Sequence, residues 1–186
     1  NPLGLPDAKL KYRFYRTYPI IISPHDHNKV YVGSQYVHQT TDGGHSWKII
    51  SPDLSTNDKS RQQSQDSLTP MNSGDEDCVI FALAESPLEA GVIWAGTNDG
   101  LVQVTRDSGA NWSNVTPNIP NLPPWGTVSN IEASRYDPGT CYITVNLHEE
   151  NIRNPYVYKT TDYGQSWTSL SSDLPQSDTF SINARC

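Results

Sequence analysis

The pattern Thr-x-Asp-x-Gly-x-x-Trp occurs three times in this chain, and no other feature restricts its fold as strongly. The copies place Thr40, Asp42, Gly44 and Trp47 in residues 40–47, Thr105, Asp107, Gly109 and Trp112 in 105–112, and Thr160, Asp162, Gly164 and Trp167 in 160–167. Four identities held at one spacing imply one repeated backbone conformation. The aspartate is expected to accept backbone N–H groups one or two residues ahead, closing an Asx-type turn. Glycine supplies a positive φ at the tight point. Tryptophan then buries its ring where the next strand begins, with the indole N–H at a polar edge.

The flanks repeat too. Before each octet lies a β-rich run (Tyr36-Val37-His38-Gln39, Leu101-Val102-Gln103-Val104, Tyr156-Val157-Tyr158-Lys159), and a second run precedes each of those, at 30–34, 93–97 and 141–145. Turns at 23–26, 86–89 and 134–138 separate these from earlier runs at 20–22, 80–83 and 128–131, and a short run follows each Trp. Each unit therefore reads as four short strands joined by hairpins. Repeats of about 40 residues with four strands are propeller blades. An immunoglobulin-like sandwich gives no reason to repeat one Trp turn at the same strand junction.

The expected fold is all-β: a β-propeller segment of three four-stranded antiparallel blades, part of a larger ring. Residues 1–18 form a leading segment in which Lys11–Tyr15 offers a strand to a preceding blade. The blades span 19–54, 79–117 and 128–175. A polar insertion at 55–78 and a connection at 118–127 separate them, and 176–186 starts a further blade. A closed ring normally has at least four blades, and three would leave sheet faces and edges open. The expectation is a piece of a longer propeller, its other blades supplied in cis or by other copies in trans.

The octet resembles the Asp box, or bacterial neuraminidase repeat, and the resemblance covers nearly the whole chain. The phrases Phe81-Ala-Leu-Ala-Glu-Ser-Pro87, Trp94-Ala-Gly-Thr-Asn-Asp-Gly100 and Tyr158-Lys-Thr-Thr-Asp-Tyr-Gly164 are similar to large bacterial secreted proteins with sortilin-type propellers, often labelled glycosyl hydrolases. The resemblance implies that the box marks the fold and lies opposite the ligand face, so Asp42, Asp107 and Asp162 are turn residues. It also implies an extracellular or cell-envelope location.

Composition narrows the function. The net charge of −7 argues against nucleic acid as the main partner. No apolar run approaches the length of a membrane span, and the first residues lack the basic and apolar regions of a signal peptide. Cys78, Cys141 and Cys186 allow at most one internal bridge, and none lies in a CxxC. No cofactor or metal is expected; His25-Asp26-His27 occupies an ordinary connecting turn.

Candidate chemistry falls on the loops opposite the octets, since long loops on a rigid scaffold carry function. The 55–77 stretch ends in Asp75-Glu76-Asp77, and 146–155 holds His148, Glu149, Glu150 and Arg153. As a glycoside hydrolase, xyloglucanase- or sialidase-like, the chain would use Asp75, Asp77, Glu149 and Glu150 as paired carboxylates, acid and base or nucleophile. The plainer reading is a solvated acidic loop. Sialidase chemistry lacks its clustered pocket arginines. Among the aromatics, Trp125 in Pro123-Pro124-Trp125-Gly126 lies between blades and is the candidate for stacking on a glycan or gripping a peptide, with His148 and Arg153 beside it. The favoured reading is a non-catalytic module that recognises a glycan or protein ligand.

Overall fold

The computed structural model describes residues 9–60, 62, 78–147, 152–172 and 174, with Arg153 described by its backbone alone. These form three four-stranded antiparallel sheets. The first blade is β1 (Ile20–Ile22), β2 (Val30–Gly33), β3 (Val37–Thr40) and β4 (Lys48–Ile49). The second is β5 (Ile80–Glu85), β6 (Ile93–Thr97), β7 (Val102–Thr105) and β8 (Ser113–Asn114), and the third β9 (Thr127–Ala133), β10 (Cys141–Leu147), β11 (Ile152–Thr160) and β12 (Thr168–Ser169). In each sheet the strands follow chain order, which is the meander of a propeller blade.

The octets join the third strand to the fourth in every blade, by the same bonds each time. Thr40 Oγ1 donates to Asp42 Oδ1 at 2.8 Å and accepts the Gly44 N–H at 3.0 Å. Thr105 and Thr160 repeat both bonds at the same distances. The aspartate reaches farther than an Asx turn requires. Its Oδ1 accepts the N–H four residues ahead, from Ser46 at 2.9 Å, Asn111 at 2.8 Å and Ser166 at 2.9 Å. The side chains of those residues donate to Oδ2 at 2.6–2.7 Å. A loop spanned end to end by one carboxylate needs a small polar residue at position seven of the octet, which the chain supplies each time. The glycines sit at φ +93, +92 and +84. A second repeated device follows the fourth strand, where Ser51, Thr116 and Ser171 accept the N–H of Val37, Val102 and Val157.

Alternation sends each blade's residues to two different neighbours. Tyr31, Gly33 and Val37 of blade one face blade two, packing with Ile80, Leu83, Ile93 and Ala95 in one core cluster. The corresponding Trp94, Gly96 and Val102 of blade two face blade three and join Val128, Ile131 and Ile143 in a second. The glycines set the approach: a Cβ on Gly96 would lie 2.7 Å from Val128 Cβ, and one on Gly33 3.1 Å from Ile80 Cβ.

The second and third octets also lean on the blade before them. A Cβ on Gly109 would lie 2.9 Å from Ile50 Cβ, and one on Gly164 2.9 Å from Val115 Cβ. Trp112 donates its indole N–H to Ile50 O at 2.9 Å, and Trp167 meets Trp94 edge to face at 6.1 Å. Trp47 stays 47% exposed against 7% for Trp167. Burial of this tryptophan thus follows the neighbouring blade, not the octet alone. Arg106 lies with its guanidinium 3.8 Å over the Tyr163 ring and ties two octets together. His25 belongs to the same system of contacts, its Nε2 lying 2.8 Å from Ser86 O of the next blade. Among the described residues no group of three His, Cys, Asp or Glu stands close enough to hold a metal ion, and no helix is long and apolar enough to cross a membrane.

Two predictions follow the octet geometry. Gly44 and Gly109 share one φ but only Gly109 rests on a blade. Gly44→Ala should cost about 1 kcal/mol, the left-handed penalty alone, and Gly109→Ala about 2–4 kcal/mol because a clash is added, as read from urea midpoints. The second concerns pH. Hydrogen bonds from Ser46 and Thr40 hold Asp42 down to about 2, and Asp107 and Asp162 are lowered by the corresponding donors. Carboxylates depressed in the fold stabilise it above the ordinary value near ~4, and that stability is lost as pH falls toward the folded values. A D42N/D107N/D162N variant should therefore lose less Tm than the parent between pH 4 and 2.

Candidate functional site

On the rim opposite the octets, the β6–β7 turn organises a group of buried polar residues. The turn closes through Thr97 N–H to Leu101 O at 2.9 Å, with Gly100 at φ +92. Asn98 is fixed from both sides: its Oδ1 accepts Val79 N–H at 2.8 Å, and its own N–H donates to Val79 O at 3.0 Å. Asn98 O also accepts the Thr127 hydroxyl at 3.1 Å, tying the turn to the start of β9.

Asp99 is next, and it is buried. Both the N–H and the hydroxyl of Thr56 donate to its Oδ2 at 2.7 Å. Its Oδ1 is buried with no hydrogen-bond partner among the described residues. A buried carboxylate oxygen without a donor is costly, and its presence needs a reason. Beside it, Thr56 Oγ1 lies 3.7 Å from Cys78 Sγ. Burial pushes the Cys78 thiol up, and the Asp99 charge adds to that. The thiol is held protonated and is no nucleophile. Cys78 and Cys141 are buried thiols that form no bridge with each other, and burial raises Cys141 further.

Arg13 closes one side of the group. Its Nη2 donates to Asp53 Oδ2 at 3.0 Å, Cys78 O at 3.1 Å and Ser55 Oγ at 3.2 Å. Its own N–H is held by Gln35 Oε1 at 2.8 Å. The guanidinium is buried, so the leading segment is pinned to blade one and to the connection that follows it.

Trp125 closes the other side. A Cβ on Gly100 would lie 3.3 Å from Trp125 N and 3.4 Å from Gly126 O, which places the tryptophan backbone against the turn. Trp125 itself is half-buried and sits at φ +64. A bulky residue in that region costs on the order of 1–3 kcal/mol and persists only where the surroundings enforce it.

Of the residues singled out in the sequence, Trp125 is the one the described structure sets within this group. Asp75, Glu76, Asp77, His148, Glu149 and Glu150 lie outside the described residues, as does the side chain of Arg153. The sequence reading passed over Asp99, Thr56, Arg13 and Asp53. Thr-Asn-Asp-Gly reads as a hairpin turn, and its polar residues turn inward only because the 53–56 and 78–79 stretches pack on them.

No protein-family model matches the chain, and no curated protein matches it. Solved structures do. The GH74 enzyme of Niastella koreensis aligns with a TM-score of 0.54 at 17% identity, over 86% of this chain and 23% of that one. The GH74 xyloglucanase of Xanthomonas campestris aligns with a TM-score of 0.56 at 16% identity, over 87% and 23%. YCF48 of Cyanidioschyzon merolae aligns at 0.49 and 18%, over 88% and 42%. The two GH74 similarities establish the β-propeller fold, and the chain spans about a quarter of those proteins' length.

Thr56→Val tests the group. It removes the hydroxyl donor of Asp99 while keeping shape, and should cost about 1–3 kcal/mol in a urea titration. Ser55→Ala, which leaves Asp99 untouched, should cost less.

Proposed function

We propose that this chain is a segment of an Asp-box propeller, of the sortilin-like extracellular kind, whose loop rim binds a glycan or protein ligand and carries no chemistry of its own. The observation that supports this most is Trp125, held half-buried at φ +64 beside the turn that buries Asp99. A partly exposed aromatic side chain beside a polar turn suits a ligand that offers both an apolar surface and hydroxyl or amide groups. Sugars and extended peptides both do.

The polar groups around the turn suit binding better than turnover. Asp53 is committed to an ion pair with Arg13 at 3.0 Å. Cys78 is kept protonated. A hydrolase would need two carboxyls facing each other at roughly 5–10 Å, and Asp75, Asp77, Glu149 and Glu150 remain the residues to supply them under that rival reading.

The deciding experiment is a glycan array, with xyloglucan oligosaccharides and extended peptides titrated by calorimetry and reducing-sugar release followed in parallel. Binding without turnover, weakened about tenfold by Trp125→Ala, is expected. Sugar release abolished by Asp75→Asn or Glu150→Gln would establish the hydrolase instead. Absence of both would leave a purely structural blade array.

A further inference from the structure

Among the described residues His38 is the buried histidine: it is 7% exposed, whereas His25, His27 and His45 lie on the surface. It stands in β3 opposite Val32 of β2 and Ile49 of β4. The segment that leads into blade one forms its roof. Tyr12 meets the imidazole edge to face at 5.1 Å, and Phe14 stacks on it at 5.8 Å with the planes 25° apart. Tyr36 closes a third side at 6.4 Å. Ser34 Oγ, on a buried residue, lies 2.7 Å from Nε2 and accepts the Tyr36 N–H at 3.1 Å.

These surroundings suit a neutral ring that accepts the Ser34 hydroxyl. Protonation reverses that bond, since Nε2 must then donate, and leaves the hydroxyl only Tyr36 O at 3.4 Å. The elements packed around the ring offer the new charge no carboxylate. The leading segment brings Lys11, Arg13 and Arg16 with Tyr12, Tyr15 and Tyr18; β2 brings Tyr31, β4 brings Lys48, and β1 has no titratable group. Lys11 Nζ lies 5.1 Å from the centre of the Tyr12 ring, and Asp53, the acid that this segment meets, is already paired with Arg13. Burial accordingly holds the His38 imidazole below the usual histidine value.

The roof and the loop rim share one short stretch of chain. Arg13 lies between Tyr12 and Phe14, and its guanidinium bonds Asp53, Ser55 and Cys78 O. Gln35 grips the same stretch twice, through Arg13 N–H at 2.8 Å and Lys11 O at 3.0 Å. Two aromatic side chains flanking one cation cannot leave blade one without moving it. We infer that His38 is an acid-sensitive latch: a proton on its imidazole releases Tyr12 and Phe14, undocks residues 11–15, and withdraws Arg13 from the polar group of the loop rim. The docked state binds the proton more weakly than the undocked one. Docking is therefore complete above the ordinary histidine value of about 6.5 and weakens as pH falls from there toward the lowered one.

Hydrogen exchange of the Tyr12–Tyr15 amides in the full chain, divided by the intrinsic rate at each pH, reads the undocking. NMR of the His38 ring reads its titration in the same samples. Below pH of about 6.5 the normalised exchange should rise, by up to about tenfold per pH unit, until the lowered value is passed. The register supplies two variants that do not titrate in this range: His38→Gln carries the residue that blade two has at this position, Gln103, and His38→Tyr that of blade three, Tyr158. Each should flatten the rise. A rise that persists in either folded variant overturns the proposal, because it then comes from Asp53 or from another histidine. A His38 that titrates at or above the ordinary value, as when attraction of the rings for the imidazolium outweighs burial, also overturns it, and this result needs no variant to fold.

Discussion

The structure depends on how closely one sheet can rest on the next. Gly33 and Gly96 let the facing sheets approach through their middle strands, and Gly109 and Gly164 let the second and third octets settle on the blade before them. All four would drive a Cβ to within about 3 Å of a neighbour. Because the spacing is short, Tyr31, Trp94 and Tyr158 are fully enclosed between blades. Burying each large side chain contributes roughly 1.5–3 kcal/mol, so the joints hold much of the hydrophobic stabilisation. Burial pushes Tyr158 up to about 12 and raises Tyr31 as well, which keeps both hydroxyls neutral inside the joint.

That use of one rim decides what the other can do. The carboxylates of Asp42, Asp107 and Asp162 are committed to spanning their own turns, and the side chains around them tie blade to blade. The opposite rim repeats one backbone bond, from Val37, Val102 and Val157 to Ser51, Thr116 and Ser171, and no carboxylate. Its loops differ in length and composition from blade to blade, and around the β6–β7 turn they gather a partly buried ion pair, a buried carboxylate and a strained tryptophan. A strained, polar group on a rigid scaffold is where a ligand site is expected.

The spacing of Thr, Asp, Gly and Trp made the fold legible, because a turn closed by one carboxylate admits few residues at its fixed points. Position seven carried the same information unread: Ser46, Asn111 and Ser166 complete the carboxylate's bonds. Ser51, Thr116 and Ser171 were equally regular and equally easy to miss, since serine and threonine after a strand look like ordinary loop. The loop rim was far less legible. Arg13 and Asp99 lie 86 positions apart in the chain and acquire a common setting only through Ser55, Thr56 and Cys78. Such a group has no local spacing to betray it. Nor does the octet reveal how deep its tryptophan lies, since Trp47 and Trp167 sit in the same turn and differ through their neighbours.

Identical turns therefore do not make interchangeable blades. The far side of blade three departs from the other two at the position that matters most for approach. Thr144 stands there in place of glycine, and its hydroxyl lies 2.9 Å from Ser129 Oγ. Lys159 takes the place of Gln39 and Val104, with its ammonium 5.5 Å from the centre of the Tyr142 ring, and Glu132 pairs across from Tyr142. A sheet packing on that face would meet a threonine where the inner joints have glycine, and an ammonium where they have the Gln39 amide or the Val104 side chain. Among the described residues the array is thus directional: Ile20, Ile22 and Trp47 leave an apolar surface exposed at one end, and Thr144, Lys159 and Glu132 place polar groups on the sheet face at the other.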